Sequence, residues 1–295
     1  MLPFRSARRA ALTVTLGLAA TTASAQGTQD GFVNSGGARI HYRVQGQGPA
    51  MLLIHGFPLS GEYFKNNASV LSRTFRVITL DLRGFGQSAA PEAQASVQMY
   101  AQDALAVLDR LDVQKAIFGG MSMGGPVVFE LYRRAPERFM GMVLIATTAN
   151  PASITEQHLW TGIGAQAQAN GVPSIVPELI KDMLTGKTRT QRPQLKAFLE
   201  GLMKQSSLNG VLGGSSTLAT RPDSLPTLKT IRVPTLIVVG AEDTVYPPAF
   251  SQKMDQNIPN AQLVVVPGAA HAVNIENAAA FNAAVLQWAR RNALH

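Results

Sequence analysis

A serine set between glycines, Gly120-Met121-Ser122-Met123-Gly124, follows the apolar run 115–119 and opens a stretch with apolar residues at helical spacing. No other feature constrains the fold as strongly. Where a strand turns sharply into a helix, side chains obstruct the crossing. Glycine two residues before and two after the serine lets the backbones approach. The serine then sits on a strained turn with its hydroxyl projecting above the sheet. A turn of this kind belongs at the end of a parallel strand covered by helices.

The remaining sequence supplies such a sheet. Short apolar runs at 38–44, 51–54, 75–80, 115–119, 142–146, 235–239 and 262–266 read as strands. Residues 96–111, 126–134 and 278–291 carry apolar positions at helical spacing. The alternation predicts an α/β fold, a mostly parallel sheet flanked by helices. At 295 residues, 46% of them hydrophobic, the chain can bury one sizeable core. Residues 150–226 hold several Pro and Gly residues, short helical patterns and no strand, between two core strands. They are expected to form a helical cap inserted into a core of residues 26–149 and 227–295. Within this segment Gly213-Gly214-Ser215-Ser216 reads as a flexible turn.

A serine hydroxyl becomes a nucleophile when a base takes its proton, and a carboxylate must orient that base. Of the five histidines, His41 lies in an early strand, His55 in a strand-end turn before the serine, His158 in the cap segment, and His295 ends the chain. Only His271 follows a late strand, in the loop Pro267-Gly268-Ala269-Ala270-His271. The order serine, acid, histidine that accompanies such an elbow selects it. The acid is then sought at Gly240-Ala241-Glu242-Asp243, where Asp243 is expected to turn inward and Glu242 to face water. His55-Gly56-Phe57-Pro58 ends an earlier strand. Its Phe57 N–H, with the Met123 N–H after the serine, is expected to form the oxyanion hole, and His55 to brace the loop.

Other readings of the sequence are weaker. Gly84-Phe85-Gly86-Gln87-Ser88-Ala89 matches a dinucleotide fingerprint, but Asp81-Leu82-Arg83 intervenes after the strand and Pro91 interrupts the required helix. The chain lacks cysteine, which excludes disulfides, a thiol nucleophile and Cys-ligated metal. No cofactor or metal is implied. The formal net charge of +8 is scattered, without the clustered basic face that nucleic acid requires. Arg5, Arg8 and Arg9, the apolar residues that follow and Ala23-Ser24-Ala25 predict a secretory signal over residues 1–25. The expectation is an exported, periplasmic or extracellular protein without a stable membrane anchor.

The combination His55-Gly56-Phe57-Pro58, Asp81-Leu82-Arg83-Gly84-Phe85-Gly86-Gln87-Ser88, Ser122-Met123-Gly124-Gly125, Gly240-Ala241-Glu242-Asp243 and Gly268-Ala269-Ala270-His271 resembles the α/β-hydrolase superfamily over nearly the whole mature chain. The resemblance implies an eight-stranded sheet and a small-molecule ester or lactone as substrate. Within the superfamily the chain is similar to esterases, cofactor-free haloperoxidases (perhydrolases) and 3-oxoadipate enol-lactonases. Dehalogenases and epoxide hydrolases of this fold use an aspartate nucleophile, whereas position 122 is Ser. C–C bond hydrolases often carry Asn shortly before the nucleophile, where this chain has Gly119-Gly120. Perhydrolysis, C–C cleavage and ligand sensing on the same fold are the alternatives to ester hydrolysis.

Overall fold

The computed structural model describes residues 27–295. The signal segment expected over residues 1–25 lies outside them. The elements run, in chain order, β1 (Gln29–Ser35), β2 (Ala38–Gln45), β3 (Ala50–Ile54), α1 (Lys65–Leu71), β4 (Arg76–Leu80), α2 (Val97–Arg110), β5 (Ala116–Met121), α3 (Gly124–Arg134) and β6 (Phe139–Ile145). Next come α4 (Ile154–Asn170), α5 (Val176–Met183), α6 (Gly186–Gln191), α7 (Pro193–Lys204), α8 (Leu208–Ala219) and α9 (Leu225–Leu228). The chain closes with β7 (Thr235–Gly240), α10 (Pro248–Asn257), β8 (Ala261–Val266), α11 (Val273–Glu276) and α12 (Ala278–Arg291).

The eight strands form one sheet in the order β1-β2-β4-β3-β5-β6-β7-β8. β1 pairs antiparallel with β2, and β2 antiparallel with β4. Every other pairing is parallel. Strands β3, β5 and β7 are buried along their whole length, as expected of parallel strands covered on both faces. Successive side chains point to opposite faces. Leu52 and Ile54 accordingly join the cluster containing Val107, Phe129 and Met254 from α2, α3 and α10. Met51 and Leu53 join Leu71, Phe281 and Trp288 from α1 and α12.

Only helices and 3-10 turns occupy the stretch between β6 and β7. Ser153 starts α4 with a capping box: its hydroxyl accepts the Glu156 amide at 3.3 Å, and its own amide donates to the Glu156 carboxylate at 3.0 Å. The turn expected at 213–216 is instead an interior part of α8. The glycines serve contact there, not flexibility. A Cβ on Gly214 would lie 2.7 Å from the Phe57 ring and 2.9 Å from that of Phe85, so only a bare backbone lets α8 sit on these aromatics. Ser206 and Ser207 fasten the start of this helix to the core by donating to the carbonyls of Pro58 and Gly84 at 3.0 and 2.8 Å.

Candidate active site

Ser122 stands between β5 and α3 at φ +51°, the left-handed region that non-glycine residues seldom enter. The crossing explains the flanking glycines. A Cβ on Gly120 would lie 2.4 Å from the Gly124 carbonyl oxygen, and one on Gly124 would lie 2.4 Å from that of Ile54. The turn is also held by its neighbours. The Ser122 amide donates to the Ile145 carbonyl at 2.9 Å, and the Ser122 carbonyl accepts the Gly125 amide at 2.9 Å and the Thr147 hydroxyl at 2.7 Å. Strain at the serine is thereby overdetermined by contacts that do not involve its side chain.

The loop after β8 brings His271 to this serine. Its Nε2 lies 2.9 Å from Ser122 Oγ, and its Nδ1 lies 2.9 Å from Asp243 Oδ2. Asp243 follows β7, and its other oxygen accepts the amides of Val245 and Tyr246 at 2.9 and 3.0 Å. The carboxylate is fixed before it meets the histidine. All three side chains are buried, whereas Glu242 is exposed. With Nδ1–H donated to Asp243, Nε2 is free to accept the serine proton.

Gly56 and Phe57 lie against the same turn, since a Cβ on Gly56 would be 3.0 Å from Ser122 Cβ. Neither the Phe57 nor the Met123 amide donates a hydrogen bond among the described residues. His55 is fully buried. Burial pushes its pKa down, and its neutral ring donates from Nδ1 to the Gly56 carbonyl at 2.8 Å while Nε2 accepts the Leu82 amide at 3.0 Å. It braces the loop and does not approach the serine. Gly86 belongs to a second brace, packed on Asp81, which accepts the amides of Gly61 and Gln87 at 2.7 and 2.8 Å.

A pocket of about 220 Å³ opens over Ser122 and His271. Phe57 lines it from the core, Trp160 and Ile163 from α4, and Leu179 and Met183 from α5. Trp160 packs edge-on to Phe57 with ring centroids 5.7 Å apart. Among the described residues no cluster of three or more His, Asp or Glu side chains suits a metal ion, and no helix is long and apolar enough to cross a membrane.

The fold agrees with comparisons to known proteins. The family model for the alpha/beta hydrolase fold matches residues 49–278. The chain belongs to the α/β-hydrolase family. It is 32% identical over 277 residues to a putative non-heme chloroperoxidase of Synechocystis sp., covering 88% of this chain and 97% of that one. A thermophilic esterase from Thermogutta terrifontis superposes with a TM-score of 0.86 at 29% identity, over 90% of this chain and 99% of its own. An enol-lactonase from Burkholderia xenovorans LB400 gives 0.83 at 26% identity, over 88% and 99%. Esterases, lactonases and haloperoxidases are thus all among the hydrolase's relatives.

Sequence reasoning missed one buried group. Glu276 of α11 accepts the amide of Ala270, next to His271, at 2.7 Å. No motif pointed to it, because its partners lie as far away as Thr185.

Proposed function

We propose that this hydrolase cleaves a carboxylic ester or lactone through an acyl-enzyme on Ser122. The observation that carries the reading is the pair of 2.9 Å contacts linking Ser122, His271 and Asp243 at the bottom of a mostly apolar pocket. In the first step His271 Nε2 takes the serine proton as Oγ attacks the carbonyl carbon. The unengaged amides of Phe57 and Met123 receive the negative oxygen, and Asp243 stabilises the imidazolium. His271 then protonates the leaving alcohol. A water molecule, deprotonated by the same nitrogen, releases the acid and restores the serine.

Helices α4 and α5 act in this reading as a lid that shapes the acyl pocket. A volume of about 220 Å³ suits a short acyl group and falls below the roughly 300–1,000 Å³ of sites for drug-sized ligands. Export through residues 1–25 is part of the same proposal, with a mature chain beginning near Gln26. N-terminal sequencing of protein recovered outside the cytoplasm checks it.

The deciding experiment compares the chain from Gln26 with its Ser122→Ala variant on short p-nitrophenyl esters. Turnover that falls about a thousandfold or more in the variant is the expected result. Absence of turnover in both would overturn the reading. The chloroperoxidase relative supports a second reaction, attack of peroxide in place of water on the acyl-enzyme. Peroxide added to one acyl donor measures how the intermediate partitions.

A further inference from the structure

The pocket over Ser122 changes character between interior and mouth. In its interior Phe57, Trp160, Ile163 and Met183 are each less than one-tenth exposed. Around it also stand three carboxylates, Glu156, Glu178 and Asp182, and no Lys or Arg lines it among the described residues. Glu178 and Asp182 are exposed, which sets them at the mouth.

The three carboxylates differ in what neutralises them. Glu156 meets the Arg221 guanidinium at 2.5 Å. Burial works to raise its pKa, but the Ser153 amide and Arg221 outweigh that and hold it below the usual carboxylate range. Arg221 is itself committed, donating also to the carbonyls of Asn150 and Leu218. Glu178 is paired with Lys181 at 2.8 Å, in an exposed contact. Asp182 receives only the Thr244 hydroxyl, at 3.2 Å, and has no ion pair among the described residues. In a chain of formal net charge +8, the entrance to this pocket is acidic.

We propose that the pocket, taken as the acyl-transfer site argued above, selects neutral or cationic esters over esters that carry a carboxylate, and that Asp182 sets this selection. An anionic substrate would leave water for an apolar interior with no Lys or Arg lining it. It would also approach through carboxylates whose field the cleft concentrates. A neutral acyl chain meets neither obstacle and gains from burial against Trp160 and Ile163.

Dimethyl adipate and monomethyl adipate test this directly, with hydrolysis followed by pH-stat in dilute buffer. They share chain length and ester chemistry, and near pH 8 the monoester is ionised. The expected kcat/KM for the diester, halved for its two ester groups, exceeds that of the monoester about fivefold, and the gap shrinks at high salt. Asp182→Asn is expected to narrow the gap about twofold, and Asp182→Lys to narrow it further. Equal values for the two esters in the wild type, or a ratio that both variants leave unchanged, would overturn the proposal. Turnover of p-nitrophenyl acetate, measured on the same samples, separates the two levels of inference. Its absence would overturn acyl transfer and the selection with it, whereas its presence beside equal adipate rates would overturn the selection alone.

Discussion

The carboxylate of Glu276 holds Thr185 twice, accepting its amide at 2.9 Å and its hydroxyl at 2.7 Å with one oxygen, while the other oxygen takes the Ala270 amide at 2.7 Å. One buried side chain therefore ties the segment after α5 to the loop that carries His271. A second tie runs beside it, from the Ala272 amide to the Met183 carbonyl at 2.8 Å. Met183 lines the pocket, so the seating of the helices above the site and the position of the histidine are mechanically joined.

Replacing Glu276 by Gln turns one acceptor into a donor facing an N–H. The variant is expected to lose about 1.5–3 kcal/mol of stability, the range for hydrogen bonds to charged groups. Its kcat on short esters should fall about tenfold, with a smaller change in KM, because displacement of His271 affects proton transfer more than substrate contact. Urea unfolding and steady-state kinetics on the same preparation check both. An unchanged kcat would show that the loop holds His271 without this tie.

The strained backbone at Ser122 gives a separate expectation. Ser122→Ala and Ser122→Gly both remove the hydroxyl and its contact with His271, so their difference isolates the φ of +51°. A left-handed residue with a Cβ costs roughly 1–2 kcal/mol, and the greater chain entropy of glycine offsets about half of that. The glycine variant should be more stable than the alanine variant by about 1 kcal/mol, with both inactive. Denaturation midpoints that coincide would mean the turn is not strained.

These details differ in how far the sequence disclosed them. The elbow was legible because the glycines at 120 and 124 answer a local steric demand, and the buried parallel strands were legible as apolar runs. β1 is not legible as a strand. Gln29–Ser35 contains Asp, Gly and Asn, residues poorly suited to strands, and it is held by pairing with β2 over its full length. Gly213 and Gly214 read as a turn in the sequence because their local propensity opposes helix, whereas the contact of α8 with Phe57 and Phe85 makes them helical. In the site, chain order selects His271 and the Glu242-Asp243 stretch, and the inward turn after β7 distinguishes Asp243 from Glu242. Glu276 was invisible for the opposite reason: its role exists only when segments 91 residues apart meet.

His41 predicts a pH-dependent contribution to stability. It is buried in β2, with Nδ1 2.9 Å from Asp81 and Nε2 3.0 Å from Asp30. Burial works to lower its pKa, but the two carboxylates outweigh burial and raise it above the ordinary 6.5. A raised folded-state value means that the folded protein binds the proton more tightly. The stabilisation is complete below 6.5 and is lost as pH rises through the folded-state pKa. His41→Gln should therefore cost more stability near pH 6 than near pH 8.5, by urea unfolding at both. A penalty that grew with pH would reverse the assignment.

Asp243 offers the sharpest test of how the three side chains cooperate. In Asp243→Asn the retained amide oxygen can still accept the Val245 and Tyr246 amides, so the turn after β7 has reason to keep its shape. The new NH2 group then faces His271 Nδ1, now as a donor. The imidazole must place its own proton on Nε2, where it points at Ser122 and can no longer accept the hydroxyl proton. The expected result is a fall in kcat of about 10,000-fold with folding retained. Exposed Glu242, changed to Gln, should leave kcat within about twofold, since surface substitutions away from such contacts have small effects. Comparable losses in the two variants would place the orienting carboxylate elsewhere. A loss confined to Asp243→Asn, with the far-ultraviolet spectrum unchanged, would establish that the tautomer of His271 governs the chemistry.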